Sequence, residues 1–159
     1  MDYQHAPHVH TTLSGRWLCK VCPKIEKPTT PVHITIDIMG PNDIFVFGSN
    51  TQGIHGAGAA KYAKRWFGAV HGVGEGLIGN SYAFPTLNSL YDGRKLSFIK
   101  RDSEELWEAS NNFGFCAVEH PELVFWVTKV GCGLAGYAEE HMIDFFMDMP
   151  MNVIKPERW

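Results

Sequence analysis

The sequence predicts an α/β fold: a mostly parallel sheet with helices on both faces. Three observations carry this. Residues 44–47 (IFVF) and 123–128 (LVFWVT) are continuous apolar runs, as expected of strands buried on both faces. Stretches of helical character alternate with these runs. Glycine is concentrated just after each run: nine of the sixteen glycines lie between Gly48 and Gly79, and three more between Gly131 and Gly136.

In chain order, residues 32–39 (VHITIDIM) are β-branched and alternating, which predicts a strand, and residues 40–43 (GPND) form a turn cluster. Residues 44–47 give the first buried strand. Residues 59–67 predict a helix with Lys61, Lys64 and Arg65 on its solvated side, where they also suit steering of an anion. Residues 81–84 predict a short strand ending at Pro85. Asp102 with Glu105 reads as a capping box opening a helix to about Val118, whose stripe Leu106, Ala109, Phe113 and Ala117 is core. Residues 123–128 form the second buried strand. Glu139 and Glu140 open a helix to about Met147, and residues 152–154 add a last short strand.

The chain divides at about residue 31. Residues 1–31 hold three of the eight histidines, a CxxC and Pro23, Pro28 and Pro31, with no periodicity able to build a core. Residues 32–159 form the α/β domain. The whole chain, at 159 residues, is long enough for one compact domain with a real core. A net charge of −3 gives no global basic field for a nucleic-acid backbone. No apolar run approaches the roughly 18–20 residues of a membrane span, and the N-terminus lacks a signal-peptide pattern. The expectation is therefore a soluble, cytoplasmic protein with reduced cysteines.

The glycine segments are the candidate site. In open α/β sheets ligands bind beyond the carboxyl ends of the strands, where loops run into helix N-termini. The first loop, residues 48–58 (GSNTQGIHGAG), and the second, residues 131–137 (GCGLAGY), both occupy such positions. Glycines let backbone N–H groups approach an anion, and each helix start adds partial positive charge. Two such loops on neighbouring strands suit the two phosphates of a diphosphate. Neither is a P-loop or a dinucleotide fingerprint.

Residues 43–50 (DIFVFGSN), 54–68 (IHGAGAAKYAKRWFG), 81–86 (SYAFPT) and 127–137 (VTKVGCGLAGY) together resemble the macro-domain family, which binds ADP-ribose. The closest resemblance is to the branch containing terminal ADP-ribose glycohydrolases, and the chain is also similar to small macro-like proteins of phages and bacteria. The likeness covers roughly residues 33–155. It implies a three-layer macro-like domain in which Gly56, Ala57 and Gly58 line the distal ribose and a phosphate. It also implies that Gly131, Cys132, Gly133 and Leu134, with Ala135, Gly136 and Tyr137 following, form a diphosphate loop. Gly48 lies beside these loops, and Asn50 approaches the distal ribose. The family's adenine-reading Gly-Asp-Ile-Thr segment is absent, with Asp37 or Asp43 at most approximate substitutes. The glycohydrolases' lysine and aspartate positions hold Leu87 and Ala135, which supply neither nucleophile nor acid–base group.

Other residues keep chemistry open. His55, inside the first loop, suits either general acid–base work or a hydrogen bond to ligand or backbone. His71, Glu75 and Tyr137 are alternatives beside the loops. Cys132 reads as a small packing residue rather than an activated thiol. His8, His10, Cys19 and Cys22 form a donor set suited to structural zinc, set against a surface-docked tail. The leading expectation is binding of ADP-ribose or a related diphosphate nucleotide. Its alternatives are an ADP-ribosyl hydrolase using His55, and a phage-type structural or interaction protein within a larger assembly.

Overall fold

A computed structural model describes Thr29, Ile34 and residues 36–159. The expected zinc set His8, His10, Cys19 and Cys22 lies outside the described residues. The chain forms β1 (Asp43–Asn50), α1 (Gly58–Trp66), β2 (Gly76–Ile78), β3 (Ser81–Tyr91), β4 (Leu96–Lys100), α2 (Ser103–Glu119), β5 (Val124–Val127), α3 (Glu139–Ile143) and β6 (Val153–Ile154). Single 3-10 turns occupy Ile36–Ile38 and Asp144–Phe146.

The fold is α/β around one mixed, mostly parallel sheet ordered β2-β3-β1-β5-β6, with β4 also paired to β3. Strands β3, β1, β5 and β6 run parallel, while β2 and β4 are antiparallel to β3. The apolar runs work as their composition requires, because side chains alternate across a strand. Ile44, Val46, Phe125 and Val127 face a core completed by Leu106, Ala109, Phe113 and Ala117 of α2, with Met142 and Phe146. Phe45, Phe47, Val124 and Trp126 face the other core, closed by Ala60 and Ala63 of α1 and by Phe67. The central phenylalanine of α2, Phe113, packs at 4.8 Å from the Tyr82 ring and 5.6 Å from Phe125. The α2 capping box forms as expected: Asp102 accepts from the Glu105 N–H (2.9 Å), and Glu105 accepts from the Asp102 N–H (2.9 Å).

Three element expectations need correction. Within the segment expected to be a strand over residues 32–39, Ile36–Ile38 winds into a 3-10 turn. Ile34, Ile38 and Met39 pack on the Phe45 side of the sheet. Strand β3 does not stop at Pro85 but runs to Tyr91. The proline is tolerated because β2 pairs β3 only through Ala83 and β4 only from Leu87, leaving no partner for the missing N–H on that edge. Helix α3 ends at Ile143 instead of Met147 and tightens into the 3-10 turn that buries the consecutive Phe145 and Phe146. Strands β2 and β4 were not anticipated.

Candidate functional site

Because β1 and β5 are parallel neighbours, the loops leaving them emerge at the same edge of the sheet. The two glycine loops meet there at two points. A Cβ on Gly48 would lie 3.3 Å from the Gly131 amide nitrogen and 3.6 Å from Thr86 Oγ1, so any side chain there would press on the second loop. A Cβ on Gly58, whose φ is +55°, would lie 3.4 Å from Leu134 Cδ1. The sequence places both loops at carboxyl ends, and the structure brings them against each other.

The first loop is rigidly braced. The Asn50 side chain donates to the Ile54 carbonyl (2.8 Å) and accepts from the Ile54 N–H (3.0 Å). Its amide is therefore engaged in shaping the loop. The Gly53 N–H bonds the Asn50 carbonyl (2.9 Å), and the Gly72 N–H bonds the Gly53 carbonyl (3.0 Å). Gly74 packs so tightly on Asn50 that a Cβ would come within 2.3 Å of its carbonyl oxygen. His55 turns inward: it is 4% exposed, stands edge-on to Phe47, and its Nε2 donates to the Val73 carbonyl (3.1 Å). Burial holds its pKa below the ordinary 6.5, outweighing the Val73 and Val70 carbonyls that favour the protonated ring.

Beyond His55 the loop opens. Gly56, Ala57 and Gly58 are exposed, and Gly56 has no heavy atom near the position of a Cβ. They lead into α1, whose N-cap is Ala57 with extended backbone, no capping side chain and no acidic residue in the first turn. The first N–H groups of a helix have no intrahelical acceptor. At α1 no side chain of the helix start takes their place, so the glycine-flanked amides and the dipole face outward together.

The second loop is two successive turns. The Cys132 N–H bonds Lys129, Gly136 N–H bonds Gly133 (3.0 Å), and Tyr137 N–H closes onto Gly131 (2.9 Å). Gly131 and Gly136 take positive φ, +79° and +69°. Gly133 is exposed with nothing within 4 Å of a Cβ, Leu134 is 79% exposed, and Ala135 is half-buried. Tyr137 is buried, its hydroxyl 2.8 Å from the Thr86 carbonyl and 2.9 Å from that of Arg101, so it anchors the loop rather than facing the crevice. Cys132 Sγ leans on the Val130 carbonyl, and burial with nearby Glu139 raises its pKa, which keeps the thiol protonated and supports a packing role.

The two helix starts are not equivalent, against the sequence expectation. Helix α3 has only five residues, and Glu139 and Glu140 already occupy its first turn. Glu139 bonds Lys129 Nζ (2.9 Å) and Trp159 Nε1 (2.9 Å), which hold its carboxyl below the usual range. Favourable helix-end charge is thus confined to α1, and the second loop offers backbone amides alone.

Three site neighbours were not singled out from sequence: Thr86, Lys100 and Arg101. Lys100 stands across the β3–β4 ladder from Leu87. Its Nζ donates to the Gly136 carbonyl (2.6 Å) and sits 4.9 Å over the Tyr137 ring. The signal was the Asp92-Gly93 pair between residues 87–91 and 96–100, a hairpin turn that brings Lys100 back to the site. The remaining candidates lie elsewhere. Asp43 is buried at the opposite end of β1, accepting from the Gly40 N–H (2.7 Å), and Asp37 is exposed in the 3-10 turn. His71 is exposed, and Glu75 accepts from Asn112 of α2 (3.0 Å).

Among the described residues no group of three or more His, Cys, Asp or Glu could hold a metal ion, and no helix is long and apolar enough to cross a membrane. Compared with protein-family models, curated proteins and solved structures, the chain matches none.

Proposed function

We propose that residues 32–159 form a macro-like domain that binds a diphosphate nucleotide of the ADP-ribose class in the crevice between the two glycine loops. The observation that carries this reading is the start of α1: glycine-flanked, exposed and without a capping side chain or acidic first-turn residue, directly across from Leu134. One phosphate sits on the amides of residues 56–60, and the other meets those of Gly133 and Leu134, since the Cys132 N–H is taken by Lys129. Asn50 acts by holding the loop. Leu134, exposed at the rim, covers the ribose or base.

Binding without turnover is the better-supported chemistry. The His55 ring is sealed against Phe47 and Val73, the Cys132 thiol is kept protonated, and Leu87 and Ala135 are inert. The hydrolase reading requires His55 to leave its pocket.

Calorimetric titration with ADP-ribose, using AMP and NAD as comparisons, tests the proposal. ADP-ribose binds in the micromolar range, and Gly133→Glu weakens it. Position 133 has open space and an ordinary φ, so the variant folds normally while placing a carboxylate against the phosphates. No heat with any of the three ligands contradicts the proposal.

A further inference from the structure

We infer that the outer face of α2 is a docking groove for a basic amphipathic helix of a partner protein. Helix α2 has two apolar stripes, and only one is used by the core. Leu106, Ala109, Phe113 and Ala117 are buried, but Trp107 (47% exposed), Phe115 (70%) and Val118 (64%) point outward. Trp107, Asn111, Gly114 and Val118 follow i, i+4, i+7, i+11 spacing and so share one face. That face lines a groove of about 330 Å³ whose opposite wall is Met149 and Pro150 and whose floor is Phe145.

The groove is shaped, not merely exposed. Trp107 is held edge-on to Phe145 at 4.9 Å. Gly114 keeps the middle open: a Cβ there would reach to 3.8 Å of Met149 Sδ, so a larger side chain would fill the channel. From Trp107 to Val118 the wall runs about 16 Å, three helical turns, which matches the reach of anchors on a second helix. Met149, in the wall of the groove, suits contact with varied apolar side chains.

Charge selects the occupant. Apart from the Cys116 thiol and Glu105, which is engaged by the capping box and Asn88, the ionisable side chains on α2 are the carboxylates of Glu104, Glu108 and Glu119. Asp144 and Asp148 lie on the segment of the opposite wall. Of the basic groups on that side, Lys155 donates to the Phe146 carbonyl (3.1 Å). A two-fold contact with a second copy would oppose these carboxylates to themselves, whereas a helix with lysine or arginine flanking its apolar face would pair with them.

The probe is a labelled helical peptide with leucines at i, i+4, i+7 spacing and lysines at its exposed positions, alongside a counterpart with glutamate for lysine. Both are titrated into the full chain, which also carries a photo-crosslinking phenylalanine analogue at position 115 for a parallel experiment. The lysine peptide binds and crosslinks at position 115, and binding weakens at least about tenfold in Phe115→Asp and in Gly114→Leu. Phe115 is largely exposed, so Phe115→Asp keeps the test valid should Gly114→Leu not fold. Added salt weakens the lysine peptide, and the glutamate peptide does not bind. Equal binding of both peptides, binding unaffected by Phe115→Asp, or no binding overturns the inference. So does a position-115 crosslink to a second copy or to residues 1–31 of the same chain.

Discussion

His55 shows how little a residue's place in a loop says about its chemistry. In the sequence it lies in the middle of a glycine loop, where an imidazole suits proton transfer. In the structure the same loop folds it under Phe47 and onto the Val73 carbonyl, and burial favours the neutral ring. Its folded pKa lies below the unfolded value, so the unfolded chain binds the extra proton as pH falls. Stability from this group is complete above about pH 6.5 and declines as pH drops below it. We expect His55→Gln to reduce the fall in Tm between pH 7.5 and pH 5.5, measured by thermal scans. An unchanged pH dependence would mean that the ring is not held neutral. At this scale the glycines were legible, because tight backbone approach and positive φ leave a compositional mark, as at Gly48 and Gly131. Side-chain direction was not. Nothing in the neighbouring residues says that Tyr137 turns inward to Thr86, a contact made 51 residues away along the chain.

At the scale of elements, the account rests on α1 being a helix with an open start. Ala57→Asp separates its two consequences. An aspartate N-cap supplies the missing acceptor and stabilises the fold by about 0.5–2 kcal/mol, raising Tm. The same carboxylate fills the anion position, so ADP-ribose binding in calorimetry should weaken. Stability and affinity moving in the same direction would break the link between the uncapped helix and the ligand. The buried strands and the α2 capping box were readable because apolar runs and cap chemistry are local signals. Two features were hidden for a common reason: the continuation of β3 past Pro85 and the early end of α3. Each is decided by which edge is unpaired or which rings must be buried. Pro85 reads as a stop only until one knows that β2 and β4 leave its edge free. The equivalence expected of the two helix starts failed because α3 is short and carries its own acids.

Over the whole molecule, charge is divided across the sheet. Although the net charge is −3, α1 carries Lys61, Lys64 and Arg65 and no acid, while α2 carries four glutamates and no lysine or arginine. The basic helix begins at the crevice, so it attracts an anionic ligand toward it. The association rate for ADP-ribose, followed by stopped-flow, should fall as ionic strength rises, and Lys61→Gln with Lys64→Gln should flatten that dependence without lowering Tm appreciably. An unchanged salt dependence would remove the steering role. The parallel sheet brings the loops after β1 and β5 to one edge although the strands are joined by residues 82 apart in sequence. Backbone amide NMR during an ADP-ribose titration tests that convergence. The amides of Gly56, Ala57 and Gly58 are expected to shift together with those of Gly133 and Leu134, with one shared midpoint. Shifts confined to one loop, or none in either, would contradict a single site built from both.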